Sequence, residues 1–311
     1  DTYKNELFTD RYNTKRNALN WQNNIIFDEK NTLSFGVDYL DDKIVSSKSY
    51  SKTSRYNTGV YAQYQWYGDS NDILVALRSD ENESYGNNAT GNISWGNNLT
   101  NSLRIKASYG TAFNAPTFNQ LYNPSSGNPA NLPEESSNTE LGFEGKLNKG
   151  KWEANIYQNS IKNLLEYNFA TSKFENVSNA EITGFEAAVS TTMVNWDIKT
   201  TLSLLNPKNT DTDKQLRRRA TEILTLSLDR QFLNFHFGLD VIAKNDRYEN
   251  ASNTTILDGY ELVNLRASYN INKQWKLNAK IDNLFDEKYE TINNYNSPGL
   301  TGFVSIQYLN E

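Results

Sequence analysis

The chain has 311 residues, with 31 Lys and Arg against 37 Asp and Glu and a net charge of −6, so no basic stripe is available to neutralise nucleic-acid phosphates. Only 37% of it is apolar, yet 13% is aromatic, with 19 Tyr, 14 Phe and 6 Trp. A compact soluble core of this size would be thinly supplied, whereas a closed β-barrel with a polar interior, a modest apolar outer band and aromatic girdles suits these proportions. With no Cys and one His, disulfides, thiolate chemistry and Cys-ligated metals are excluded, and a Ser-His-Asp arrangement has nothing to work with. No enzymatic activity is expected.

The longest uninterrupted apolar run, Ile73–Leu77, is five residues, far short of a transmembrane helix. The dominant pattern is instead period-two alternation. In chain order it predicts about fifteen antiparallel strands, roughly 14–27, 31–45, 53–67, 71–81, 87–97, 101–111, 137–148, 151–167, 181–193, 195–205, 216–230, 232–247, 260–271, 274–283 and 301–309. Leu33, Phe35, Val37 and Tyr39 interleave with Ser34, Gly36 and Asp38. Leu103, Ile105, Ala107 and Tyr109 do the same, as do Trp196, Ile198, Thr200, Leu202 and Leu204. Phe235, Phe237, Leu239, Val241 and Ala243 follow, then Trp275, Leu277, Ala279 and Ile281. One face of each strand is suited to hydrocarbon and the other to water.

The connections are predicted to alternate as well. Short turns fall at Asp28–Asn31, Gly68–Asn71, Gly96–Asn101, Asn148–Gly150, Val194–Asn195, Gln231 and Asn272–Gln274. Longer polar segments are predicted near 46–53, 82–87, 110–137, 168–180, 206–215, 247–259 and 284–300. Tight periplasmic turns and long outer loops are the topology of a bacterial outer-membrane barrel, which normally has an even strand number. The odd count, the outside-to-inside direction of the first strand and the lack of a signal peptide at Asp1 lead to the expectation that earlier strands precede this chain.

Particular strings then become specific. Ser108-Tyr-Gly-Thr-Ala-Phe-Asn-Ala-Pro-Thr-Phe-Asn-Gln-Leu-Tyr122, Asn131-Leu-Pro-Glu-Glu-Ser-Ser-Asn-Thr-Glu-Leu-Gly-Phe-Glu144, Thr183-Gly-Phe-Glu186 and Asp282-Asn-Leu-Phe-Asp-Glu-Lys-Tyr-Glu-Thr291, followed by Tyr295 and Ser297-Pro-Gly299, resemble segments of TonB-dependent outer-membrane receptors, in the family's order. Leu216-Arg-Arg-Arg-Ala220 and the Ala-Pro-Thr-Phe-Asn-Gln-Leu-Tyr wording are similar to the family's cobalamin-receptor subgroup. The resemblance implies a plugged barrel of about 22 strands, of which residues 1–311 would supply the C-terminal part without the N-terminal plug domain. It further implies TonB-energised uptake of cobalamin across the bacterial outer membrane by a monomer in contact with lipid and lipopolysaccharide. No cofactor is implied in this portion; calcium would bind upstream loops. A siderophore receptor of the same fold and a general porin are the alternatives. A barrel hydrolase lacks a triad, and a soluble lectin does not account for the alternating connections.

Candidate ligand contacts are Asn119, Gln120, Tyr122, Arg218, Arg219 and Tyr295. Amides and aromatics at 119, 120 and 122 suit the amide-bearing rim of cobalamin, while the same segment also reads as a rim structure anchoring a long loop. Strand parity directs Arg217 and Arg219 inward and Arg218 outward; the resemblance directs Arg218 to the substrate, which needs a bulge. An Arg cluster neutralising lipopolysaccharide phosphates or interior carboxylates is the competing reading. His236, between Phe235 and Phe237, is expected to face the polar interior. The carboxylate pairs Asp41-Asp42, Asp211 with Asp213, and Asp286-Glu287 lack the spaced ligand loop of a calcium site.

Overall fold

A computed structural model describes residues 10–309. The strands are β1 (Tyr12–Ile26), β2 (Asn31–Ser46), β3 (Ser54–Tyr67), β4 (Asn71–Asn82), β5 (Gly86–Asn98) and β6 (Leu103–Asn114), then a short helix α1 (Phe118–Tyr122). β7 (Glu134–Leu147), β8 (Gly150–Asn168), β9 (Lys173–Met193), β10 (Trp196–Asn209), β11 (Glu222–Phe232) and β12 (Phe235–Lys244) follow. The last third holds β13 (Arg247–Tyr248), β14 (Ile256–Leu257), β15 (Tyr260–Asn270), β16 (Trp275–Asp282), β17 (Glu290–Ile292), β18 (Tyr295–Asn296) and β19 (Thr301–Tyr308). Fifteen of these form one sheet in sequence order, with β13-β14 and β17-β18 as separate two-stranded pieces. The expected strand number and order are therefore realised.

The chain divides into two compact units. The first takes the described residues up to Asn97, with Ala107–Thr139 and Asn159–Ala180; the second takes Asn98–Lys106, Glu140–Gln158 and the residues from Glu181 onward. In the first unit the register aligns Leu33, Tyr64, Val75 and Ile93 across β2 to β5, and Phe35, Ala62, Leu77 and Gly91 beside them. The opposite face aligns Asp38, Gly59, Asp80 and Asn88. There the Arg78 guanidinium lies 2.7 Å from both Asp38 and Asp80. It fits because Gly59 has no side chain: a Cβ at that position would sit 2.0 Å from Arg78 Nη2. Pairing of this kind is what lets charges occupy a partly enclosed wall.

The second unit repeats the logic. Ile198, Leu228, Leu239, Leu265 and Ile281 share the apolar face. On the polar face Arg266 meets Asp240 at 2.7 Å and Asp229 at 3.2 Å. His236 is on that face, its Nε2 3.0 Å from Asp229. At the short-turn ends Phe235 packs on Tyr269 at 4.5 Å and Trp275 on Tyr308 at 4.9 Å between ring centroids, the aromatic belt expected where sheet meets interface.

Four expectations need correction. The 82–87 and 168–180 connections are tight, because β5 begins at Gly86 and β9 already at Lys173. Their strands continue past the apolar band, where polar residues occupy both faces and erase the alternation. β7 starts at Glu134 and β11 only at Glu222, so 216–221 is not strand. Leu216 and Ala220 are buried there, and Arg218 takes a left-handed φ of 57°. The long segments 110–137, 247–259 and 284–300 hold α1 and the two small hairpins.

Candidate ligand-contact clusters at the strand ends

In the first unit the segment after β6 folds around α1. Thr117 closes a capping box: its Oγ1 accepts from the Gln120 backbone N–H at 3.3 Å, and Gln120 Oε1 accepts from the Thr117 N–H at 2.8 Å. Two orphan helix donors are satisfied this way. Phe118, Leu121 and Pro116 are buried, and Arg55 both donates to the Pro116 carbonyl and stacks 5.1 Å over the Phe118 ring. Tyr122 packs against the cluster of Ile44, Tyr50 and Phe118. Asn119 Oδ1 accepts the Tyr50 hydroxyl.

The same loop is tied to its neighbours in that unit. Buried Asn131 donates to the carbonyls of Gln120 (3.1 Å) and Phe174 (2.9 Å), and Tyr85 donates to the Asn131 carbonyl at 2.8 Å. Burial pushes the Tyr85 phenol up to about 12, so it stays a neutral donor. Asn176 closes the set by pairing with the backbone of Leu132 in both directions. Of the three candidates here, Gln120 serves the cap, Asn119 holds Tyr50 and Tyr122 packs. The rim-anchoring reading of the segment is what this geometry carries.

In the second unit the connections β10–β11, β12–β15 and β16–β19 are joined through one carboxylate. Glu249 receives the Arg218 guanidinium, with Nε 3.1 Å from each oxygen, and accepts the Asn293 backbone N–H at 3.4 Å. Arg218 hydrogen bonding holds the Glu249 carboxyl below the usual glutamate range. The Arg218 N–H donates to the Tyr248 carbonyl at 2.6 Å, which fixes its left-handed backbone. Asn253 exchanges two bonds with the Gln215 backbone. Buried Arg247 donates to the Glu290 carbonyl and stacks 5.3 Å over Tyr260, whose ring lies 4.5 Å from Tyr289.

Parity does not decide the arginines, since 216–221 is irregular. Arg218 and Arg219 are both exposed, Arg218 with its guanidinium on Glu249, and Tyr295 is 71% exposed. Glu249 and Tyr50 were not singled out from sequence, and nothing in their local pattern marks them; Asn131 opens one of the family-like strings, but its role in tying the loop was not foreseen. The carboxylate pairs are met by cations: Asp42 by Arg16, Asp41 by Lys43, Asp213 by Lys208 and Asp286 by Lys288.

The family model described as "TonB dependent receptor-like, beta-barrel" matches residues 1–284. The Vitamin B12 transporter BtuB of Photobacterium profundum is 32% identical over 305 residues, 95% of this chain and 50% of that protein. Among solved structures, a mutant of the ferric enterobactin receptor PfeA of Pseudomonas aeruginosa has a TM-score of 0.81 at 19% identity, covering 96% of this chain and 54% of that one. The copper transporter OprC also has a TM-score of 0.81, at 17% identity, with 96% and 56% covered. At these identities the structural likeness speaks to fold. The chain spans about half the length of the curated relatives it matches. With the family model covering most of its length, this chain belongs to the TonB-dependent receptor β-barrels of the bacterial outer membrane.

Proposed function

We propose that this chain belongs to a receptor that takes up cobalamin, with transport energised through TonB. The observation that carries the reading is the 32% identity, over 95% of the chain, to a protein named as a vitamin B12 transporter. Exposed amides, hydroxyls and aromatics at the strand ends suit a large ligand with an amide-bearing rim. Within this reading Arg219 and Tyr295 are direct contacts. Arg218, Asn119, Gln120 and Tyr122 act by shaping the loops that present them.

The test is calorimetric titration of the intact receptor, purified from outer membranes, with cyanocobalamin and separately with ferric enterobactin. Cobalamin binding with no response to the ferric chelate is expected; the reverse would overturn the substrate and leave the family standing. Arg219→Ala should weaken cobalamin binding about ten- to a hundredfold, the range for one hydrogen bond to a charged group. Unchanged affinity in Arg219→Ala, with a loss in Arg218→Ala, would move the contact to Arg218.

A further inference from the structure

In the second unit a cleft of about 460 Å³ opens on the polar face of β12, β15, β16 and β19, a volume in the range of small-ligand sites. The strand register builds it in three rows. His236, Ser268, Asn278 and Ser305 lie side by side across the four strands. Arg266, Lys280 and Phe303 form the row on one side, and Lys276 stands in the row on the other. Neighbouring strands are about 4.8 Å apart and successive residues on one face about 7 Å, so the two lysines flank short polar side chains within their reach. Lys276 follows the Asn272–Gln274 turn and the Trp275–Tyr308 ring pair. The cleft therefore sits at the short-turn end of the strands, which is the periplasmic end, away from the loops that carry Arg219 and Tyr295.

The chemistry of the lining is one-sided. Among the described residues around the cleft none is Asp or Glu, and each polar side chain there can donate a hydrogen bond. The charges are not equally available. Arg266 is held by Asp229 and Asp240, and Lys280 Nζ lies 2.7 Å from Asp282. His236 turns its Nε2 to Asp229 and closes the row. Lys276 has no carboxylate partner among the described residues. One uncompensated cation beside three neutral donors, Ser268, Asn278 and Ser305, calls for a ligand group with a single negative charge and several acceptor oxygens. A carboxylate offers two oxygens to these four partners, whereas a phosphodiester offers four. We propose that this cleft binds the phosphodiester of the substrate, as a second station on the periplasmic side of the outer loops. The proposal rests on the cobalamin reading, because the nucleotide arm of cobalamin carries one phosphodiester. The flat base of that arm finds the ring of Phe303, which is 57% exposed beside Lys280,.

Lysine acetylation reads the cleft directly in the intact receptor purified in detergent, where both ends of the strands are open to solvent. The rate at Lys276 is followed by mass spectrometry, with Lys273 in the exposed turn as the control. Cyanocobalamin should slow acetylation of Lys276 saturably and leave Lys273 unchanged. Cobinamide, which lacks the nucleotide arm, should not slow it. Dimethyl phosphate, a bare phosphodiester, should protect Lys276 at high concentration whatever the transported substrate is. Ser268→Ala should raise the half-protecting concentration roughly two- to tenfold, the worth of one neutral hydrogen bond. Equal protection by cobinamide, equal protection of Lys273, or no protection by either phosphodiester would overturn the proposal. Cobalamin that binds in calorimetry yet leaves Lys276 unprotected would remove the station and leave the substrate standing. Protection by dimethyl phosphate without any cobalamin binding would remove the substrate and leave the phosphodiester cleft.

Discussion

Replacing Glu249 by Gln keeps the shape of the joint between three loops and removes its charge. The Glu249 side chain is 15% exposed and that of Arg218 35%, between a solvated pair and a buried one. Exposed ion pairs contribute about 0.2–1 kcal/mol, and hydrogen bonds to charged groups about 1.5–3 kcal/mol. A loss of about 1–2 kcal/mol is therefore expected, which raises the local opening equilibrium roughly five- to thirtyfold. Hydrogen exchange reads this directly at the Arg218 and Asn293 amides, bonded to Tyr248 and Glu249 respectively,. Asp213→Asn is the control: its pair with Lys208 leaves the carboxylate 83% exposed, so exchange should not change. The pH dependence has a definite sign. Arg218 lowers the folded-state Glu249 value, so the stabilisation is complete above the unfolded value of about 4.3. It is lost as pH falls through the lower folded value. The difference between wild type and Glu249→Gln should hold from about pH 6 to 8 and vanish in acid. Identical exchange at both amides at neutral pH would refute the coupling.

Leu202→Arg or Leu239→Arg, on the apolar face, should destabilise lipid-refolded protein by about 2–4 kcal/mol, whereas Lys199→Gln should scarcely matter; equal tolerance would refute the face assignment. Thr117→Ala removes the cap of α1 and should cost about 1 kcal/mol, seen as faster proteolysis within 115–131; unchanged cleavage would show that Phe118 and Leu121 burial alone holds the turn. Gly59→Ala drives a methyl into Arg78 and should cost about 1–3 kcal/mol, read as a lower denaturant midpoint; a wild-type midpoint would show that the guanidinium relocates freely.

Much of this was legible in the sequence. Alternation from Leu33 to Tyr39, or from Phe235 to Ala243, is a local pattern, and the membrane imposes it on every strand that crosses. The strings around Pro116 and Asn283 carried the family in the same way. The ends of strands were less legible. β9 runs eight residues before Glu181, through Asn176 and Ser178, with no apolar period to betray it. The Leu216–Ala220 segment resembled strand because two apolar residues flank three arginines, yet its backbone turns through a left-handed Arg218.

The sequence by itself determined the strand number, the order of the sheet, which face of each strand is apolar, and the family. These rest on the two-residue side-chain period and on the need to satisfy every backbone group within hydrocarbon. The tertiary structure alone decided what the polar rim residues do. Arg218 finds Glu249 31 positions away, and Tyr50 finds Asn119 across 69. Such pairings satisfy half-buried polar groups brought together by neighbouring strands, and no local period records them.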